Sequence, residues 1–308
     1  MHQSEKPASF LAYPLLGKAR FRVSGADHLR YLNGQLTQDL KRVSAQAVLP
    51  ACITSAKGRL QAEVWVVAET EGAERAAFLV DVPGALREVL HGRLERYIVA
   101  DDVCVEDVTG EAELLHFPGP VLPDLKELQP FTAAKAARLG AGGWDVWVPA
   151  DRFGAVCAAL GERLGSEPDY ERLRVERGVP AWGPELSEET LPPEAGLDKT
   201  HVDYHKGCYI GQEVISRLKS VGHVNRVLRK FRCSKAGGSA GVTEVESKGS
   251  PVAGENFYVP GERGKPAGNL TSVVADGERG FYALGYLKRG VEAAGFETEG
   301  GAELRMLP

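Results

Sequence analysis

No stretch of this sequence approaches the ~18–20 consecutive apolar residues that a membrane-spanning helix requires. A signal-peptide layout is missing as well: Met1 to Leu16 carries one early lysine, Lys6, and Pro14 interrupts its apolar run. Cysteine is sparse and scattered. Cys52, Cys104, Cys157, Cys208 and Cys233 are five in number and include no CxxC pair, which argues against a disulfide framework or a zinc site and reads as reduced thiols. An excess of positive charge is also absent. The 37 basic and 42 acidic side chains leave a net charge of −5, so bulk attraction to nucleic acid or to an anionic membrane is not expected. These absences lead to the expectation of a cytoplasmic protein with no membrane partner.

What is present is enough apolar material for a substantial core. Hydrophobic residues make up 43% and charged residues 26% of 308 residues, a length at which a single core stops growing and two or three packed units form. Ser24 to Asp27 reads as a helix start with Ser24 as the cap, burying Leu29 and Leu32 and stopping near Gly34. Ala51 to Thr54 and Leu60 to Val67 read as strands joined by a turn containing Lys57-Gly58. In the second strand Leu60, Ala62, Val64 and Val66 share one face, and Gln61, Glu63 and Trp65 the other. Phe78 to Val82 is a strand ended by Pro83. A helix follows, with Leu86, Val89, Leu90, Leu94 and Tyr97 on its stripe. Val103 to Val108 and Trp144 to Val148 read as strands, and the next helix presents Phe153, Val156, Cys157, Leu160 and Leu164. Asp169 is the expected cap of a helix ending at Gly178, and Ala181 to Lys199 reads as a structured loop. After Phe231, short apolar runs (Val252-Ala253, Phe257 to Val259, Leu270 to Val274, Phe281 to Leu287) alternate with turns. They suggest a small all-β unit, sandwich or barrel, with the boundary near Asn225.

The most specific segment is Lys206-Gly207-Cys208-Tyr209-Ile210-Gly211-Gln212-Glu213. Two glycines bracket a cysteine, and a helix is predicted from Gln212 through Val214, Ile215 and Leu218. A thiol before a helix N-terminus, flanked by Lys206 and followed by Arg217, lies in an electropositive setting of the kind that lowers a thiol pKa from about 8.5. Cys208 is therefore the candidate functional thiol. The alternative is a small buried hydrophobe in a tight turn. His201 and His205 lie close by, but His-x-x-Cys alone is a poor metal pattern.

This octet resembles the K-G-C-[FY]-x-G-Q-E motif of the YgfZ family. Tyr31 to Asp39 (YLNGQLTQD) is similar to that family's YLQGQxTxD segment, Lys57-Gly58-Arg59-Leu60 to its KGR turn, and Arg174 to Pro180 to its xIEAGxP stretch. Gly285-Tyr286-Leu287-Lys288 suits its C-terminal portion. The resemblance implies an α+β fold shared with the glycine-cleavage T-protein. A bilobed, T-protein-like folate-binding portion would span 1–225, and a small C-terminal β-barrel 226–308. It further implies tetrahydrofolate or a derivative as cofactor, with no stably bound metal, and iron–sulfur client or assembly proteins as partners. The implied function is a folate-dependent accessory role in assembly or repair of iron–sulfur clusters, including those of tRNA-modifying enzymes. Glu176 aligns with the pterin-contacting glutamate of T-proteins, and Tyr170 with a family tryptophan implicated in folate binding. Arg174 belongs to the same expected set, and Cys208 is expected to be reachable beside a pterin-sized cavity.

Two departures stand out. A second folate-associated tryptophan of the family falls near Lys18. The aspartate pair of T-proteins is matched by Ala62-Glu63, and alanine cannot carry a proton, so aminomethyl transfer by the T-protein route is not expected. Arg217, Lys219 and Arg226, with His223, Arg229, Lys230 and Arg232, form a run without acidic residues, a candidate contact for an anion. Two alternative functions follow: a tetrahydrofolate-dependent one-carbon transferase, and an RNA-binding module acting in tRNA modification through weak contacts.

Overall fold

The computed structural model describes residues 11–72, 74–125, 131–233 and 249–308. Most of the N-terminal stretch read for a signal peptide, including Lys6, lies outside the described residues. The chain divides into two compact units. Unit 1 comprises Met1–Thr54, Ala62–Tyr170 and His201–Ile210; unit 2 comprises Ser55–Gln61, Glu171–Thr200 and Gly211–Pro308. No helix among the described residues is long and apolar enough to cross a membrane.

Unit 1 holds two antiparallel sheets. The first is ordered β3 (Leu49–Thr54), β4 (Leu60–Glu71), β5 (Glu74–Pro83), β2 (Lys18–Ser24) and β6 (Cys104–Asp107). The second is ordered β1 (Tyr13–Pro14), β7 (Ala112–Pro118), β9 (Gly143–Pro149) and β8 (Thr132–Lys135). Strand periodicity divides the first sheet cleanly. Ala19, Phe21, Val23, Ala62, Val64, Val66, Val80 and Val82 form one fully apolar face, packed beneath α1 (His28–Gln35) and α2 (Arg87–Arg96). The opposite face carries Trp65 and Val67, which pack with Leu114, Ala134 and Trp147 of the second sheet.

Several local expectations are corrected. Ser24 ends β2 and is not a helix cap; α1 begins after Asp27, whose carboxylate accepts from the Asp102 amide at 2.9 Å. On α2, Leu90 and Leu94 are buried but Val89 is 62% exposed. The buried stripe is completed by the Arg93 guanidinium, which bonds Gln35 at 3.0 Å. On α3 (Ala150–Leu160), Val156 and Leu160 are buried, while Leu164 lies beyond the helix end. The helix α4 (Glu167–Arg177) starts earlier than Asp169. Ser166 and Asp169 exchange reciprocal bonds between Oγ, backbone amide and carboxylate, a capping box in which Asp169 is the inner member.

In unit 2, β10 (Arg226–Cys233), β13 (Phe281–Lys288), β12 (Gly268–Ala275), β11 (Asn256–Tyr258), β14 (Gly295–Thr298) and β15 (Glu303–Leu307) close into a barrel in that order. Its centre is an aromatic triad: Phe231, Phe257 and Phe296 meet at centroid distances of 5.0–5.9 Å. Val252-Ala253 lies in a turn region rather than a strand. The unit also includes 171–200 and α5 (Gln212–Ser220), so it is larger than the barrel alone. The reason is a buried knot. Arg174 bonds Glu185 (2.8 Å), the Val179 carbonyl (2.6 Å), Ser272 (2.9 Å) and Glu171, while Glu185 accepts from Thr271 and Ser272 on β12. The Lys57-Gly58 turn is also fixed here. Gly58 has φ +72°, and a Cβ there would lie 3.0 Å from Val214 of α5.

Candidate functional site

Lys206 to Ile210, the part of the octet that belongs to unit 1, is clasped there by the other motif segment, YLNGQLTQD. The Lys206 ammonium donates to the carbonyls of Asn33 (2.6 Å), Leu36 (2.7 Å) and Gln38 (2.8 Å). The first two lie at the C-terminus of α1, where backbone acceptors lack helical partners and favour a cation. The Ile210 amide donates to Gly34 O at 3.3 Å, and Thr54 Oγ1 donates to Ile210 O at 2.5 Å. Thr37 ties the remaining side: its hydroxyl donates to His201 O (2.6 Å) and accepts from the Cys52 amide (2.8 Å). Tyr209 is buried, and the burial pushes its phenol up.

Cys208 is exposed, which removes the buried-hydrophobe alternative. Its flank, Lys206, turns its ammonium to the three carbonyls at and beyond the end of α1. Arg217 is paired with Glu213 at 2.6 Å. In the basic run, Arg226 holds Glu194 (3.2 Å) and stacks on Tyr286 (4.2 Å), and Arg232 holds Asp276 (2.8 Å). Acids distant in sequence thus supply the counter-charge that the run itself lacks. Part of the run is β10, where Phe231 and Cys233 point into the barrel. The Arg174 guanidinium is bonded on all sides by the buried knot of unit 2. Glu176 is half-buried and pairs with Arg172 at 2.9 Å.

The sequence reading missed the charged layer between the two sheets of unit 1. Alternation along β2 places Lys18, Arg20 and Arg22 on the face opposite Phe21, opposite Pro83, Asp81 and Leu79 of β5. From there a continuous buried network runs across the sheets. Arg20 Nε donates to Asp81 (2.7 Å), Arg138 donates to both Asp81 (2.9 Å) and Asp145 (2.6 Å), and Asp145 meets His116 Nδ1 at 2.9 Å. Arg20 stacks over Trp147 and Arg138 over Trp65, each at 4.7 Å. Burial alone would raise Asp145, but the Arg138 charge and the His116 bond outweigh it and hold the carboxyl below its ordinary range.

At one edge of this layer lie Lys18, Glu63, His201 and Tyr170. Glu63 Oε1 meets His201 Nε2 at 3.0 Å, and the His201 ring sits edge-on to Trp65 at 5.8 Å. Burial pushes Glu63 up, yet His201, Lys18 and Arg138 together bring it below 4.5. Burial, reinforced by Arg138, pulls the Lys18 amine down against the opposing pull of Glu63, Asp81 and Asp145. Tyr170 contacts Tyr13 at 5.8 Å and His116 at 6.5 Å. Ala62, on the other face, is fully buried in the apolar core. At the opposite edge a groove of about 420 Å³ is lined by Arg20, Arg22, Glu69, Glu111, Leu79 and Trp147, and none of the sequence-nominated residues borders it. Among the described residues, no three His, Cys, Asp or Glu side chains gather as for a metal ion.

The sheets of unit 1 and the closed barrel define the fold of a T-protein-type aminomethyltransferase. The glycine cleavage system aminomethyltransferase T of Bartonella henselae matches with a TM-score of 0.78, covering 98% of this chain and 86% of that one at 17% identity. In sequence, the aminomethyltransferase of Rubrobacter xylanophilus is 29% identical over 94% of this chain and 76% of that protein. No protein-family model matches the chain.

Proposed function

We propose that this protein binds tetrahydrofolate or a derivative at the charged layer of unit 1 and acts as an accessory factor for assembly or repair of iron–sulfur clusters. The clients would include tRNA-modifying enzymes, and Cys208 would be the functional thiol. One observation carries the folate half. Tyr170 and the Glu63–His201 pair gather about Trp65 although they are far apart in sequence: Tyr170 packs against the cluster that holds Trp65, and His201, bonded to Glu63 at 3.0 Å, meets Trp65 edge-on at 5.8 Å. The residues suit a pterin. Tyr170, partly buried, supplies aromatic surface, and Glu63 and Lys18 supply an acceptor and a donor for a polar ring edge. Glu176, in unit 2, is proposed separately as a ligand carboxylate. Support for the accessory role is the octet and its exposed cysteine.

The test has two arms. Titration of the full chain with tetrahydrofolate, followed by tryptophan fluorescence, is expected to saturate. In a strain lacking the protein, the wild-type gene is expected to restore several cluster-dependent enzymes, and Cys208→Ala to restore them only in part. Full rescue by both Cys208→Ala and Glu176→Ala refutes the site assignment.

A second reading, tetrahydrofolate-dependent one-carbon transfer, draws on the aminomethyltransferase relative and on the buried Glu63–His201 pair, which can hold a proton. Ala62 weighs against the T-protein route. Absence of methylene-tetrahydrofolate after incubation with glycine-cleavage intermediates eliminates this reading.

A further inference from the structure

The groove of about 420 Å³ at the opposite edge of the inter-sheet layer has unmatched chemistry at its two ends. Its inner end holds donors without acceptors. Arg20 is 8% exposed and Trp147 4%, and the guanidinium lies over the indole at 4.7 Å. Arg20 bonds Asp81 through Nε alone, and the second oxygen of Asp81 goes to Arg138. Arg20 Nη2 and Trp147 Nε1 are sealed without a partner; Arg20 Nη1, also without one among the described residues, is not sealed. Orphaned buried donors are uncommon, and each costs free energy. The outer end has the reverse excess. Arg22, two residues along β2, borders the same groove, and its one guanidinium is shared among Glu69 (2.9 Å), Glu106 (3.0 Å) and Glu111 (3.2 Å). Glu69 and Glu111 also border the groove, so its mouth carries more negative than positive charge. Between the two ends the wall is apolar, built from Val67, Leu79 and the Trp147 ring.

Free donors at one end, an acidic rim at the other and an apolar wall between them complement a particular kind of molecule: an acyl oxygen, a short apolar stem and a terminal ammonium. We propose that this groove is a second ligand site, separate from the folate site, for such an ω-amino acyl compound, as the free acid or as its amide. The acyl oxygen accepts from Arg20 Nη1, and the ammonium donates to Glu69 and Glu111 at the mouth. Arg20 and Arg22 are alternate residues of one strand, so their Cα atoms stand about 7 Å apart, a spacing that a short linear stem spans. Neither end suffices alone. A plain carboxylate meets the acidic mouth with the wrong charge, and a plain amine leaves the Arg20 donors unsatisfied.

The experiment titrates 6-aminohexanoate, 6-aminohexanamide, hexanoate and hexylamine calorimetrically into the full-length protein and its variants. Removing either polar end from the probe is expected to cost about tenfold or more in affinity, the span of one hydrogen bond to a charged group. Glu69→Gln combined with Glu111→Gln should weaken both amino acyl probes about tenfold and bind hexanoate no less well. Its thermal midpoint should hold, because ion pairs this exposed contribute little. Arg20→Met should bring 6-aminohexanoate down to the level of hexylamine. That variant also strips Asp81 of one partner, so the rim variant carries the test if Arg20→Met does not fold. Preference for the acid assigns a free ω-amino acid and preference for the amide an acyl conjugate, and either supports the proposal. No saturable binding of either amino acyl probe by wild type overturns it, as does equal binding of hexanoate or a rim variant that binds like wild type. Displacement of 6-aminohexanoate by tetrahydrofolate overturns the groove as a separate site.

Discussion

Replacing Lys206 by methionine tests whether the octet lysine is a helix-capping clasp rather than a partner of the thiol. Methionine keeps the aliphatic stem and removes three charge-assisted bonds, to Asn33 O, Leu36 O and Gln38 O at 2.6–2.8 Å. Each such bond contributes roughly 1.5–3 kcal/mol net in isolation. One ammonium shared among three acceptors at a half-buried site delivers less than three times that, so the expected loss is about 2–4 kcal/mol. For a unit of this size that corresponds to about 5–12 °C in thermal midpoint. Lys206→Arg should recover less than half of the loss, because a planar guanidinium cannot converge on three carbonyls as a tetrahedral ammonium does. Denaturant melts followed by near-ultraviolet circular dichroism would measure the loss. Hydrogen exchange at Cys52 and Asp203, whose amides donate to Thr37, would show where it falls. A Lys206→Met protein within about 0.5 kcal/mol of wild type, with those amides equally protected, refutes the clasp.

The Glu63 carboxyl is held below 4.5 in the folded protein, so its contribution to stability is present above that pH and fades as pH falls through the lower folded value. Acid melts of wild type should therefore steepen below pH 4.5 relative to Glu63→Gln, and coincident acid limbs would contradict the pairing with His201. Brief alkylation of the native protein should label the exposed Cys208 and spare Cys52, which is sealed and whose thiol burial raises well above its ordinary value; equal labelling counts against the clasped octet. Arg174→Met should cost about 3–5 kcal/mol by leaving Glu185 buried without its guanidinium, read as early loss of barrel signal in urea, and a neutral outcome would show the knot to be dispensable.

Much of the fold was legible because strand periodicity and core composition coincide. Alternation puts Leu60, Ala62, Val64 and Val66 on one face, and all four are fully buried. The strands that escaped notice carry charge at alternate positions. Lys18-Ala19-Arg20-Phe21-Arg22-Val23 looks polar until its two faces are separated, and β10 read as a basic run for the same reason. The charged layer was hidden by distance. Asp81 and Arg138 are 57 residues apart, and Glu63 and His201 are 138 apart. A local signal did exist: Asp81, His116 and Asp145 each stand inside a strand between apolar neighbours, where a charge requires a partner from elsewhere. The octet was easier to find than to interpret. Its lysine reads as a neighbour of the thiol alone, because sequence proximity cannot reveal three carbonyls some 170 residues upstream.

The layer also poses an energetic question that stability alone does not answer. Burying Arg138 and Asp145 between sheets costs desolvation that their mutual attraction offsets only when the geometry is good, and apolar residues of similar volume commonly serve stability as well or better. The other face of the same sheet shows that an apolar solution is available to this chain. What the ion ladder adds is orientation. Arg138 fixes Trp65 by stacking and Asp145 by bonding, and through Asp145 the ring of His116, which Tyr170 abuts. Removing one positive and one negative charge together, in Arg138→Met with Asp145→Leu, keeps the layer neutral and leaves the Arg20–Asp81 pair in place. The double variant should melt within about 2 kcal/mol of wild type, in either direction. Its affinity for tetrahydrofolate should nevertheless fall about tenfold or more, since the aromatic walls lose their fixed poses. If affinity survives while stability collapses, the ladder is a folding element and the ligand chemistry lies elsewhere in the molecule.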